Sequence, residues 1–398
     1  MTFFHNSSIE LIKNIPIEQQ KIDHIEFTHP SLVKKIISII LKQDFTPKNI
    51  LEPGCGSGEF LYELQKVYPY SNIVGIDQNK MIVDTIQYNF ASNVTIEHKN
   101  FFNVQRKFDL IIGWIPFYLM KRENVRRNQQ AYIEGRPNSS ILYLLQACEL
   151  IEQNGIIAFI LPASFLSGHS YNTIRDIINT NYQIISVFNT ENKTHKTHKK
   201  YIVLIIQRTT TMNNESYTCY HRNCITFNEP QKIAKIKSLI TNHNIHSMLL
   251  DVKIGTIAMN THAYCFTNDP TKTQLIYSSN LKGNTIIHSP SNKIKDKTTY
   301  VDKEGILDPV IVVNRGYGKG KFHLEFCLID QTHPFLIENH LMYIYSNQII
   351  PRDEKLKRLR IVQKSLEDPR TNQFVCLYFG NSAINSSELN FILPLYIS

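Results

Sequence analysis

The run Leu51-Glu52-Pro53-Gly54-Cys55-Gly56-Ser57-Gly58-Glu59-Phe60, followed less than twenty residues after its last glycine by Gly75-Ile76-Asp77, constrains this chain more than any other feature. Asn49-Ile50-Leu51 reads as a buried strand, the glycines as a tight turn that lets backbone approach a ligand, and Phe60-Leu61-Tyr62-Glu63-Leu64 as the helix that follows. A second strand, Asn72-Ile73-Val74-Gly75-Ile76, ends on Asp77, whose carboxylate can accept hydrogen bonds from a ribose diol. Ligands of open α/β sheets lie beyond the carboxyl ends of the strands, so the pattern describes a nucleotide site.

The details favour S-adenosylmethionine over a dinucleotide. The glycines do not follow the Gly-x-Gly-x-x-Gly spacing, and Glu52 at the head of the turn would repel a pyrophosphate but suits the cationic amino-acid end of a sulfonium ligand. Further along the first half, strands and helices alternate as in a parallel sheet: a strand over 108–112, a helix over 141–151, a strand over 155–161 and a closing pair over 184–188 and 201–207. From Leu249 onward the pattern changes to short strands and turns with a few helical pieces. The glycine run resembles the first motif of Rossmann-like methyltransferases, so the fold expected is an α/β, Rossmann-like methyltransferase sheet over 1–246, with a second, mostly β domain over 247–398.

Bulk properties limit the partners. A formal net charge of +9 over 398 residues, with pI near 9, suits an anionic partner. No apolar run reaches the length of a membrane span, and the amino terminus lacks a signal-peptide layout, so no membrane role is expected. Seven scattered cysteines form no paired framework, which fits a reducing, cytoplasmic compartment. Cys219, His221 and Cys224 have no second cysteine pair nearby and read as strand and turn residues, so no metal site is expected.

After the fourth strand comes Gly113-Trp114-Ile115-Pro116-Phe117, in the slot where methyltransferases of exocyclic amines carry Asn/Asp-Pro-Pro-aromatic. An adenine amine becomes nucleophilic when two acceptors draw its hydrogens out of plane, while an aromatic ring stacks on the flipped base. Ile115 keeps its carbonyl and Phe117 its stacking face, but the indole of Trp114 offers a donor and no acceptor.

In this order of motifs the chain resembles the gamma-class, TaqI-like DNA adenine-N6 methyltransferases over most of its length. The matching positions are Phe27-Thr28-His29-Pro30, Glu52 to Phe60, Asp77, Asn100-Phe101, Trp114 to Phe117, the segment Pro162-Ala163-Ser164-Phe165, and a last run, Asn381 to Leu393, similar to the closing strand of the family's recognition domain. The resemblance implies that Thr28 contacts the methionine part of S-adenosylmethionine. Glu52, Gly54, Cys55, Gly56 and Gly58 would hold its amino acid and backbone, Asp77 its ribose, and Asn100 with Phe101 its adenine. Trp114, Ile115, Pro116 and Phe117 would form the catalytic motif, and the carboxyl-terminal domain would read double-stranded DNA. Asn100 stands where aspartate is usual. Trp114 is the larger departure: losing one transition-state acceptor costs on the order of 3 kcal/mol, which implies weak or absent methylation.

Ribosomal RNA adenine dimethyltransferases carry Asn-Ile/Leu-Pro-Tyr/Phe in the same slot, which makes RNA an alternative substrate, although the second domain speaks for DNA. A catalytically inactive nucleic-acid- or partner-binding protein is the other alternative. Three basic clusters are expected on loops around the cleft: Lys121, Arg122, Arg126 and Arg127; Lys193, Lys196, Lys199 and Lys200 with His195 and His198; and Arg315 with Lys319 and Lys321. Phe188 and His198 are candidates for a second aromatic contact with the base. The recognition sequence, oligomeric state and any restriction partner are not legible.

Overall fold

Seven strands build the sheet of the first half in a computed structural model that describes residues 4–16, 18–19, 25, 27–190, 200–287, 299–315, 324–379 and 384–397. In chain order they are β1 (Asn49–Pro53), β2 (Asn72–Asp77), β3 (Val94–His98), β4 (Phe108–Trp114), β5 (Ile151–Pro162), β6 (Tyr182–Asn189) and β7 (Tyr201–Arg208). Their spatial order is β3-β2-β1-β4-β5-β7-β6, the first five parallel and β7 antiparallel to both β5 and β6. This is the α/β, Rossmann-like sheet that the sequence led us to expect.

The continuous apolar runs of the central strands follow from burial on both faces. Successive side chains alternate: Leu51, Ile111, Ile157 and Leu204 enter one core cluster, and their neighbours Ile50, Leu110, Ile156 and Val203 enter the other. The helix Ser139–Leu150 buries nearly every residue, including Ile141, Leu144 and Ala147, and so is apolar almost all round. Because β1 has β2 on one side and β4 on the other, the chain leaves the sheet in opposite directions at their carboxyl ends, and a crevice opens there.

The chain divides into two compact units, residues 1–234 and 235–398. Within the second, a four-stranded antiparallel sheet runs in the order Asp251–Ile254, Leu341–Tyr345, Val310–Asn314, Phe326–Ile329. A second four-stranded sheet joins Phe266–Thr267, Tyr300–Val301, Thr273–Ile276 and Phe335–Ile337, and the helix Arg352–Glu367 packs Leu359, Val362 and Leu366 inward.

The described part of the closing strand expected over 381–393, residues 384–393, is not a strand. Glu388–Ile392 is a π-helical turn. Asn385 and Glu388 bond each other's backbone reciprocally: Glu388 N donates to Asn385 Oδ1 (2.9 Å) and Asn385 N to Glu388 Oε2 (2.9 Å). Such a capping box starts a helical turn and overrides the apolar reading of Leu389 to Leu393. Cys219 and His221 lie on Thr218–His221 and Cys224 on Cys224–Phe227, a hairpin turned by Arg222 and Asn223 with φ of 52° and 62°. Among the described residues no three metal-ligating side chains gather, and no helix is long and apolar enough to cross a membrane.

Candidate active site

The glycine turn is locked from two sides. Cys55 N donates to Ile76 O (2.9 Å) and Gly58 N to Cys55 O (2.8 Å). Gly56 N donates to Asp77 Oδ2 (3.0 Å), while Asn79 N donates to Asp77 Oδ1 (2.8 Å). Asp77 thus ties the turn to the end of β2; the Gln78 amide bonds it as well, and the carboxylate keeps acceptor capacity for a diol. Gly58, the residue before the helix Glu59–Val67, has φ of 78°, and a Cβ there would stand 2.6 Å from the ring of Phe90. Only glycine fits that step. The carboxylate of Glu59 is held by His5 N (2.9 Å) and by the hydroxyl of Ser8, so the helix Asn6–Asn14 is fastened onto the start of this helix.

Glu52, at the end of β1, is 3% exposed and its Oε2 has no hydrogen-bond partner. Burial, and then the neighbouring carboxylates of Glu59 and Asp77, hold its carboxyl well above the ordinary range. Burial also raises Asp77, against the amides of Asn79 and Gly56 that favour its charged form. An orphaned buried carboxyl oxygen is costly until a donor reaches it. The ammonium and sulfonium of S-adenosylmethionine are cations of the kind this pair of acids would accept, so the residues present fit that cofactor.

A cavity of about 720 Å³ opens beside the turn. It brings together six of the site residues expected from the sequence: Gly54, Gly56, Asp77, Phe101, Trp114 and Pro116. Phe101 is buried and stacks on Tyr143 with ring centroids 5.0 Å apart, giving the cavity an aromatic wall suited to an adenine. The others do not line it. Thr28 is buried ahead of His29, which caps the helix Pro30–Ile40. The Cys55 thiol packs in the core, where burial pushes it up. Gly58 shapes the turn from behind, and Asn100 spends its Oδ1 on Phe102 N (2.9 Å), capping the short turn Phe101–Asn103. Ile115 is fully buried and Phe117 half-buried.

Trp114, the last residue of β4, is only 8% exposed; its ring meets Tyr201 of β7 edge-on, centroids 4.8 Å apart at 72°. One edge of the indole is therefore core while the side chain also borders the cavity. Residues of the site that escaped the sequence reading include three around the target motif. Tyr118 and Tyr143 line the cavity, the first lying one position past the motif and the second reading as core of an apolar helix. The third is Ser139, whose Oγ donates to Pro116 O (2.5 Å) and accepts from Tyr118 N (2.9 Å), while its own amide donates to Tyr118 O (3.0 Å). Phe117 is thus bracketed on both sides by one residue of a helix that begins more than twenty positions later.

Among the described residues, most members of the basic clusters are used within the fold. Arg122 donates to Ile133 O (3.2 Å) and Gly135 O (3.4 Å), Arg126 to Phe102 O, and Lys121 pairs with Glu123 at 3.5 Å. Arg127 is exposed. Arg315 donates to Asn339 O (3.2 Å), whereas Lys193, His195, Lys196, His198, Lys199, Lys319 and Lys321 lie outside the described residues. Phe188 carries Lys35 Nζ 4.3 Å from its ring centre.

The family model "Eco57I restriction-modification methylase" matches residues 62–195, a span that runs from the first turn of the helix after Gly58 through the Trp114 motif and β5. Over that span the chain is similar to the restriction-modification methylases. Type II methyltransferase M.CvrRI of Paramecium bursaria Chlorella virus XZ-6E is 26% identical over 97% of both chains. Modification methylase CviBIII of Paramecium bursaria Chlorella virus NC1A is 24% identical over 96% of both. Among solved structures, the magnesium protoporphyrin IX methyltransferase of Synechocystis PCC 6803, with bound S-adenosylmethionine, aligns at 12% identity and a TM-score of 0.33 over 52% of this chain and 93% of that one.

Proposed function

We propose that this protein is an S-adenosylmethionine-dependent DNA methyltransferase acting on the N6 amine of adenine, with residues 247–398 as the part that reads duplex DNA. The observation that carries the reading is a single cavity bordered both by the glycine turn with Asp77 and by Trp114 and Pro116 of the target motif. The two viral relatives named as methyltransferases, similar over nearly their whole length, support the same activity. Bound S-adenosylmethionine would supply an electrophilic methyl group.

The chain's own residues supply orientation. Asp77 and the turn fix the ribose end, and the Phe101–Tyr143 stack receives the adenine ring. The carbonyl of Ile115 is left to polarise the target amine, because that of Pro116 is engaged by Ser139. Phe117, held by the same serine, presents a stacking face to a base turned out of the duplex. Positioning of this kind can supply most of the rate in a direct transfer. Site of action follows substrate: an intracellular, reducing compartment.

A second reading draws on Trp114, which places an indole where an acceptor belongs: the chain binds cofactor and DNA without turnover. Transfer of a radiolabelled methyl group to mixed-sequence duplex DNA, structured RNA and a peptide pool, with the products digested to nucleosides, separates the readings. Slow label at N6-methyladenine in the duplex arm alone is expected. Label in cytosine, RNA or peptide overturns the assignment, and cofactor binding with no label in any arm selects the second reading.

A further inference from the structure

The helix Arg352–Glu367 sorts its six cations into two sets. Arg352, Lys355 and Arg358 are neutralised within the second unit: Arg352 by Asp330 (2.6 Å), Lys355 by Asp308 (2.6 Å) and Arg358 by Glu354 (3.4 Å). Lys357, Arg360 and Lys364 are exposed, and no acid pairs with any of them among the described residues. Their spacing of three and then four residues sets them on one face, opposite the buried Leu359, Val362 and Leu366. Asp353 and Glu367 lie at the ends of the same face, and Glu367 accepts from Gln363 (3.0 Å). The interior of the stripe is therefore purely cationic.

We infer that Lys357, Arg360 and Lys364 form a phosphate-tracking stripe that grips one strand of duplex DNA. Seven residues of helix rise span about 10 Å, so neighbouring cations stand about 5 Å apart along the helix and their long side chains can reach successive phosphates of one strand. Three unpaired cations on a rigid element, each neighbour one helical turn from the next, match a row of anions in charge. Unlike the loop arginines after the Trp114 motif, they spend no donors on the protein's own carbonyls or carboxylates. The stripe contacts backbone and so contributes affinity and register, not base choice. This inference rests on the reading of the protein as one that acts on DNA.

The test is the salt dependence of binding to a fluorescein-labelled mixed-sequence duplex, for the full chain and for the K357Q/R360Q/K364Q variant. A second variant, K13Q/K42Q/K48Q, removes the same charge from exposed positions of the first unit. Each phosphate contact contributes about 0.9 to the slope of log K against log salt, so the stripe variant should lose about 2.7 of that slope while the control keeps the wild-type value. Unchanged thermal midpoints exclude unfolding as the cause. An unaltered slope in the stripe variant, or an equal loss in both variants, overturns the stripe but leaves the methyltransferase reading standing. Wild-type protein that binds no duplex overturns both, and binding with the expected slopes but no methyl transfer overturns only the enzymatic reading.

Discussion

Replacing Asp77 with alanine is expected to weaken S-adenosylmethionine binding by roughly a hundredfold or more in calorimetric titration, with little loss of fold. Asp77 holds the turn through Gly56 N and would supply acceptors to the ribose diol of the proposed cofactor. Charge-assisted hydrogen bonds are worth about 1.5–3 kcal/mol each, and two of them correspond to at least a hundredfold in affinity. Folding should tolerate the change because the ligand-free site does not favour a charged carboxylate. Burial raises the carboxyls of both Asp77 and Glu52, so the folded chain binds these protons more tightly than the unfolded chain does. Stability from this source is present below the ordinary carboxylate range and is lost as pH rises through the raised values. Removing Asp77 relieves that cost while giving up the amide bonds from Gly56, Gln78 and Asn79. The thermal midpoint should stay within a few degrees of wild type, the scale set by about 1 kcal/mol in a chain of this size. A variant that binds S-adenosylmethionine as wild type does would take the ribose contact away from Asp77.

The second large effect concerns Trp114. Exchange for asparagine should raise methyl transfer to duplex DNA on the order of 10²–10³-fold, the amount that one well-placed transition-state acceptor provides. The cost falls on stability: the indole is nearly buried and meets Tyr201 edge-on, and truncation of a buried tryptophan removes about 3–5 kcal/mol. The gain should therefore be sought well below the lowered thermal midpoint. Trp114→Phe separates the two contributions, because it keeps an aromatic ring in the core and adds no acceptor. Asparagine faster than phenylalanine supports the acceptor argument. Equal rates for the two would mean that the indole acted by blocking the pocket, and no gain from either would remove the tetrapeptide from the chemistry.

How much of this could be read beforehand depends on how local each cause is. The glycine turn, Asp77 and the strands around them were legible because the residues that set their geometry are sequence neighbours: positive φ at Gly54, Gly56 and Gly58, and apolar runs buried on both faces. The Ser139 bracket, the Phe101–Tyr143 stack and the fastening of His5 and Ser8 onto Glu59 were not, since each joins elements whose approach only the fold decides. The loop arginines show the same limit: Arg122 and Arg126 stand out as basic in the sequence, and only the fold shows that each also donates to a backbone carbonyl. The last turn was misread because an apolar run, Leu389 to Leu393, looks like a strand until the bonds between Asn385 and Glu388 are seen.

Calorimetric titration of the full chain with S-adenosylmethionine tests the central claim most directly, that the cavity beside the glycine turn is a site for that cofactor. Saturable heat at one ligand per chain, reproduced by the demethylated product, is the expected result. Absence of heat, together with no shift of the thermal midpoint at saturating ligand, would contradict it.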